Sequence, residues 1–184
     1  MFALFKSNPV REAAERAYEC VVAAARRPEF FREGGVPDTV DGRFELICLH
    51  AFMVLHRLKG ESAATEFAQT FFDTMFADFD RSLREMGTGD LSVGKHIRRM
   101  VEAFYGRIAA YEAGLAAADD GALVAALRRN VFGTAGDVEQ PCVLRLAQYV
   151  RQETSRLELA QPKMLVRGDV RFGPPPARTA EAAA

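Results

Sequence analysis

The stretch SVGKHIRRMVEAFYGRIAAYEAGL, residues 92–115, decides the fold. Val93, Ile97, Met100, Val101, Phe104, Ile108, Tyr111 and Leu115 recur at spacings of three and four, so one face of an α-helix gathers all of them. Gly87, Gly89 and Asp90 form a loop ahead of it, and Ser92 is expected to cap its first turn.

The same period extends in both directions. Upstream, Ser62 is expected to cap a helix reaching Met86 in which Phe67, Phe71, Phe72, Met75, Phe76, Phe79 and Leu83 form an aromatic stripe. Gly60 separates it from a helix that begins at Thr39 or Asp41. That helix carries Phe44, Ile47, Cys48, Ala51, Val54, Leu55 and Leu58 on a stripe wide enough to predict a central position. Ser7 and Asn8 can cap the first helix, with Pro9 in its first turn and Pro28 at its end. Phe30 and Phe31 follow in a short segment before the Gly34-Gly35 loop. Downstream, Asp119 and Asp120 cap a shorter helix to about Phe132, and a last helix starts near Gln140 with Pro141 in its first turn. The spacing therefore predicts an all-α, single-domain bundle of about six helices over residues 1–160. Residues 161–184 read as an irregular, basic, Pro- and Ala-rich tail, with Met164 to Phe172 expected to lie extended against the bundle.

Composition fits a soluble globular chain and excludes a mainly disordered one: 49% of the 184 residues are hydrophobic and 27% charged. Lys and Arg number 24 against 25 Asp and Glu, so net charge nominates neither nucleic acid nor membrane. Placement is more informative. Residues 1–92 hold 11 basic and 15 acidic groups, residues 93–184 hold 13 and 10. Cys20, Cys48 and Cys142 match no metal-ligand spacing and point to a reducing compartment. The first residues lack the pattern of a secretory signal, and the richest apolar run, Leu46 to Leu55, is about half of the roughly 20 residues a membrane span needs.

Chemistry is sparse. His50 and His56 are six residues apart on one helix and therefore point to well-separated faces, so no shared metal and no catalytic constellation is expected. His50 in its apolar run reads as a packed, hydrogen-bonded core residue. No Gly-rich phosphate loop or nucleophile elbow is present, and the acids Asp73, Asp78, Asp80 and Glu85 lack the Glu-x-x-His pairs of carboxylate metal bundles. Asp80 to Arg84 reads as a helix-surface ion pair. The next helix sets Lys95, His96, Arg98, Arg99 and Arg107 beside one acid, Glu102. Such a stretch either complements the acidic helix before it or meets an acidic peptide, an anionic lipid or, last, nucleic acid. An exposed edge of the Phe-rich helix with Met75 and Met86 would make a soft apolar groove for an apolar client.

The segments GVPDT at 35–39, DGRFEL at 41–46, LH at 49–50, MFADFDRSLREMG at 75–87, GDLSVGK at 89–95 and AFYGR at 103–107 occur in order over about 70 residues. Through them the stretch from Gly35 to Arg107 resembles the ubiquinol-cytochrome c chaperone family. The resemblance implies an assembly factor without enzymatic activity, cofactor or metal, which holds newly made cytochrome b, an apolar client polypeptide, on its way into the cytochrome bc1 complex. It also implies a small co-chaperone, as in mitochondria. For a short chain with no mitochondrial targeting segment, it implies a bacterial member in the cytoplasm, in peripheral contact with the inner membrane and without a nucleic-acid partner. Asp78, Asp80, Arg81, Arg84, Lys95, Arg99 and Arg107 are the candidate partner contacts, since polar groups on the matched helices have less reason than core residues to be fixed by packing. Two other classes stay open. A haem- or quinone-binding protein would use the Phe-rich helix with His50 or His56, and a DNA-binding regulator would use the Lys95 to Arg107 helix.

Overall fold

Asn8 accepts the backbone N–H groups of Val10 and Arg11 at 3.1 and 3.3 Å and so starts the first helix, α1, Pro9–Ala25. The computed structural model describes residues 8–136 and 138–176; Ser7 and the tail beyond Pro176 lie outside them. Among the described residues every regular element is helical. A single turn, α2, Glu29–Arg32, follows α1 and holds Phe30 in the core. The hydroxyl of Thr39 accepts from Gly42 N–H at 3.1 Å and opens α3, Val40–Leu58. After the Gly60 turn, a 3-10 turn at Ser62–Ala64 leads into α4, Thr65–Glu85. The remaining long helices are α5, Asp90–Ala116, α6, Gly121–Asn130, and α7, Gln140–Leu159, and one last turn, α8, is Pro162–Leu165. The six long helices are those the periodicity predicts.

The Ser92 cap is corrected. The cap is Gly89, three residues earlier, and helix α5 begins at Asp90, whose carboxylate favours the positive end of the helix. Ser92 instead donates its hydroxyl to the carbonyl of Gly89 at 2.8 Å. Met164 and Leu165, expected extended, sit in the α8 turn, because Pro162 takes its first position at no cost in hydrogen bonding.

Helix α3 is central. From Glu45 to Val54 every residue is buried, and α1, α4, α5, α7 and α8 pack around it. α1 lies on α4, α4 on α5, α5 on α6 and α6 on α7, so the bundle wraps α3 in sequence order. Gly114 permits the close α5–α6 approach, since a Cβ there would meet the Cα of Leu123 at 2.7 Å. After α8 the chain crosses back over α1, α3 and α7. Leu165 and Val170 are buried, and Phe172 stands edge-on to His50 with ring centres 4.8 Å apart.

Candidate functional site

The hairpin of α4 and α5 carries all seven polar residues singled out from the sequence, and the structure sorts them into three settings. Asp78 and Arg81 face α1. Asp78 accepts the Tyr18 hydroxyl at 2.8 Å and is also paired with Arg81, three residues on. Burial, reinforced by that carboxylate, pushes the Tyr18 phenol far above its ordinary value, so it stays a donor. The two residues border an open hollow of about 800 Å³ between α1 and α4, whose rim also carries the charged side chains of Arg11, Glu15, Arg26 and Asp73.

Asp80 and Arg84 lie at the tip. Arg84 donates to Asp80 at 2.6 Å and also binds Asp90, the first residue of α5. One guanidinium thus ties the end of α4 to the start of α5, in an exposed position where salt screens it. Lys95 and Arg99 are exposed on the first turns of α5, with no ion-pair partner among the described residues.

Arg107 differs. It turns inward and makes a two-pronged ion pair with Glu45 of α3, Nε to Oε2 at 2.7 Å, while its guanidinium lies 5.8 Å from the centre of the Phe44 ring. Burial pushes the Glu45 carboxyl up, against the pull of Arg107. In this conformation Arg107 joins helices and offers little to a partner.

The groove expected along the Phe-rich helix exists, with different walls. Met75 is fully buried, since it falls on the inward line with Phe71 and Phe79, whereas Met86 at the hairpin tip is 56% exposed. The open edge is Phe72, which stacks on Tyr105 of α5 with ring centres 5.8 Å apart. Tyr105 is itself 58% exposed. These rings, with Leu55 of α3 and Ile108 of α5, line a hollow of about 590 Å³ among α3, α4 and α5. Its polar end holds His56, Lys59 and Glu112. Lys59 reaches Glu112 at 2.8 Å and holds that carboxyl below its usual range. Sequence reasoning missed Tyr105, Leu55 and Glu112 because they are brought together from separate helices. The available signal was the position of Tyr105, an aromatic residue that falls beside the apolar stripe running through Phe104, Ile108 and Tyr111.

His50 is fully buried. Its Nδ1–H donates to the Leu46 carbonyl at 2.7 Å and its Nε2 accepts the Tyr149 hydroxyl at 2.8 Å, so neither ring nitrogen is free for a ligand. Among the described residues no three His, Cys, Asp or Glu side chains are grouped to hold a metal, and no helix is long and apolar enough to cross a membrane.

Known proteins resemble this arrangement. The profile of the family described as ubiquinol-cytochrome C chaperone matches residues 32–172. Ubiquinol-cytochrome-c reductase complex assembly factor 1 from Xenopus laevis is 32% identical over 167 residues, which are 90% of this chain and 82% of that protein. The Mus musculus protein of that name is 31% identical over 90% of this chain, which spans only 56% of the mouse protein's length. The crystal structure of the Cbp3 homolog from Brucella abortus superposes with a TM-score of 0.80 at 41% identity, covering 90% of this chain and 91% of the other.

Proposed function

Because this chain belongs to the ubiquinol-cytochrome c chaperone family, we propose that it binds newly made cytochrome b and holds it for assembly into the ubiquinol-cytochrome c reductase. It works through its exterior, at the membrane surface where the client resides, and makes or breaks no covalent bond. The observation that carries this reading is the open hollow between α3, α4 and α5, where Tyr105 presents more than half of its surface on top of Phe72. An aromatic pair kept at the surface raises no core stability to speak of, but it suits the apolar side chains of a membrane protein awaiting its partners.

The polar residues of the hairpin complete the surface. Asp78, Asp80, Arg81 and Arg84 on α4 and Lys95 and Arg99 on α5 are the groups proposed to meet partners outside the hollow. A small co-chaperone would find room in the α1–α4 hollow that Asp78 and Arg81 border.

The test uses a strain that lacks its own copy and is complemented either with the parent chain or with Asp80→Lys. The variant is expected to accumulate folded at the parent's level, to recover less cytochrome b in a tagged pull-down from solubilised membranes, and to lower assembled reductase. Normal cytochrome b recovery with normal reductase would remove Asp80 from the contact surface, and failure of the parent chain itself to recover cytochrome b would overturn the proposal.

A further inference from the structure

We propose that the exposed cationic face of α5, formed by Lys95, Arg98 and Arg99, docks on the headgroups of an anionic lipid surface. The assignment rests on the membrane-surface part of the reading above and needs no client.

Between Lys95 and Glu102 the helix carries four basic side chains, counting His96, and one acidic one. Lys95, Arg98 and Arg99 are all exposed, and among the described residues no carboxylate lies within ion-pair distance of any of them. Elsewhere on the hairpin the arginines are neutralised: Arg81 by Asp78, Arg84 by Asp80 and Asp90, Arg107 by Glu45. Within the hairpin the surplus charge is therefore confined to this one face, although the chain as a whole is near neutral. The complement of such a face is negative.

Shape selects among negative partners. The hollow between α1 and α4, the one among α3, α4 and α5 and the one beside His56 and Glu158 all lack residues from 92 to 101 in their walls, so the cations stand on the outer side of α5, away from the places where an extended acidic peptide would be seated. A flat array of headgroups needs no groove, and long Lys and Arg side chains reach it without a fixed geometry. Direction supports the same choice. Arg98 and Tyr105 are seven residues apart, hence two helical turns along one side of α5, and both are exposed. With Arg98 at the headgroups, Tyr105 and the hollow stand about 10 Å further along the same side, where a segment leaving or awaiting the bilayer would meet them.

The purified full chain is mixed with vesicles of phosphatidylcholine alone or of phosphatidylcholine with phosphatidylglycerol, and sedimented. Binding is expected to the mixed vesicles only, to weaken as salt rises, and to fall on the order of a hundredfold in Lys95→Gln/Arg98→Gln/Arg99→Gln, at about fivefold per basic residue near the surface. The variant's circular dichroism and melting should match the parent's. Equal binding of parent and variant, equal binding to both vesicle types, or tighter binding of the parent to polyglutamate or an RNA homopolymer than to mixed vesicles at matched charge would each overturn the proposal. No client is present in this assay. Vesicle binding by a protein that never recovers cytochrome b would therefore leave this surface standing and remove only the client reading.

Discussion

Arg107 of α5 and Glu45 of α3 are 62 residues apart in the chain and close a two-pronged ion pair at the edge of the core. Their side chains are 15% and 10% exposed, so each charge depends on the other for most of its solvation. Replacing Arg107 by Met leaves a carboxylate in a nearly dry site, and the expected loss is roughly 3 kcal/mol of stability, at the lower end for a broken buried pair because both edges touch solvent. The folded-state pKa of Glu45 is already raised by burial. Removing the guanidinium takes away the opposing pull and raises it further. A raised carboxyl stabilises the fold below its unfolded pKa, and that contribution disappears as pH rises through the folded value. The penalty of Arg107→Met should thus be full at neutral pH and shrink in acid, which urea unfolding at a series of pH values would check. A constant penalty across that range would mean that Glu45 is not the group left behind.

His50 makes the opposite prediction. Burial lowers its pKa to about 4 from the ordinary imidazole value of 6.5, with the Leu46 hydrogen bond resisting only in part. The folded state therefore refuses a proton that the unfolded chain accepts. Stability is complete above pH 6.5 and declines as pH falls from 6.5 to about 4, below which no more is lost to this group. A shift of that size corresponds to about 3 kcal/mol. Thermal melts should lose height across this window, and the ring signals of His50 in proton NMR should not titrate at pH 6.

The helices were legible because each long one repeats its apolar residues often enough to mark a face, as α5 does from Val93 to Leu115. The packed role of His50 was legible too, from its apolar neighbours. Local sequence could not show that Arg107 turns inward, because its partner comes from another helix and an arginine reads alike whether it meets a carboxylate of the core or the solvent. Nor could it show the hollow, whose walls Leu55, Phe72 and Tyr105 belong to three elements and converge only through the packing of α4 and α5 on α3. Gly89 and Ser92 are both acceptable caps, so composition leaves the three-residue difference in the start of α5 undetermined.

Glu153 fastens the segment after α8. It is buried, accepts the Gly173 N–H at 2.7 Å and meets Arg156 at 3.2 Å, while Arg27 donates to the carbonyls of Phe172 and Gly173. The crossing is tight enough that a Cβ on Gly173 would stand 2.5 Å from the Glu153 carboxylate. Glu153→Ala frees a buried N–H and removes the acceptor that positions it, with an expected cost of about 2 kcal/mol. Cleavage by trypsin after Arg167 or Arg171 should then precede cleavage in the bundle helices. If the variant resists trypsin as well as the parent, the burial of Leu165 and Val170 holds the segment without the carboxylate.

Tyr105 separates fold from function. Its ring is mostly in water and its main contact is the stack on Phe72, a pairing worth about 1 kcal/mol at most in such a setting. Tyr105→Ala should therefore melt within a few degrees of the parent. A client that seats apolar side chains in the hollow would lose its principal aromatic contact, and truncating an exposed anchor of this kind typically costs a binding partner about 2 kcal/mol, or some thirtyfold in affinity. The cellular readout is the amount of assembled reductase at a fixed level of the chaperone. Tyr105→Phe keeps the ring and the stack and removes only a hydroxyl, so it should restore assembly if apolar contact is what matters. Full assembly with alanine would place the client elsewhere, whereas failure of phenylalanine to rescue would shift the role from the ring to its hydroxyl.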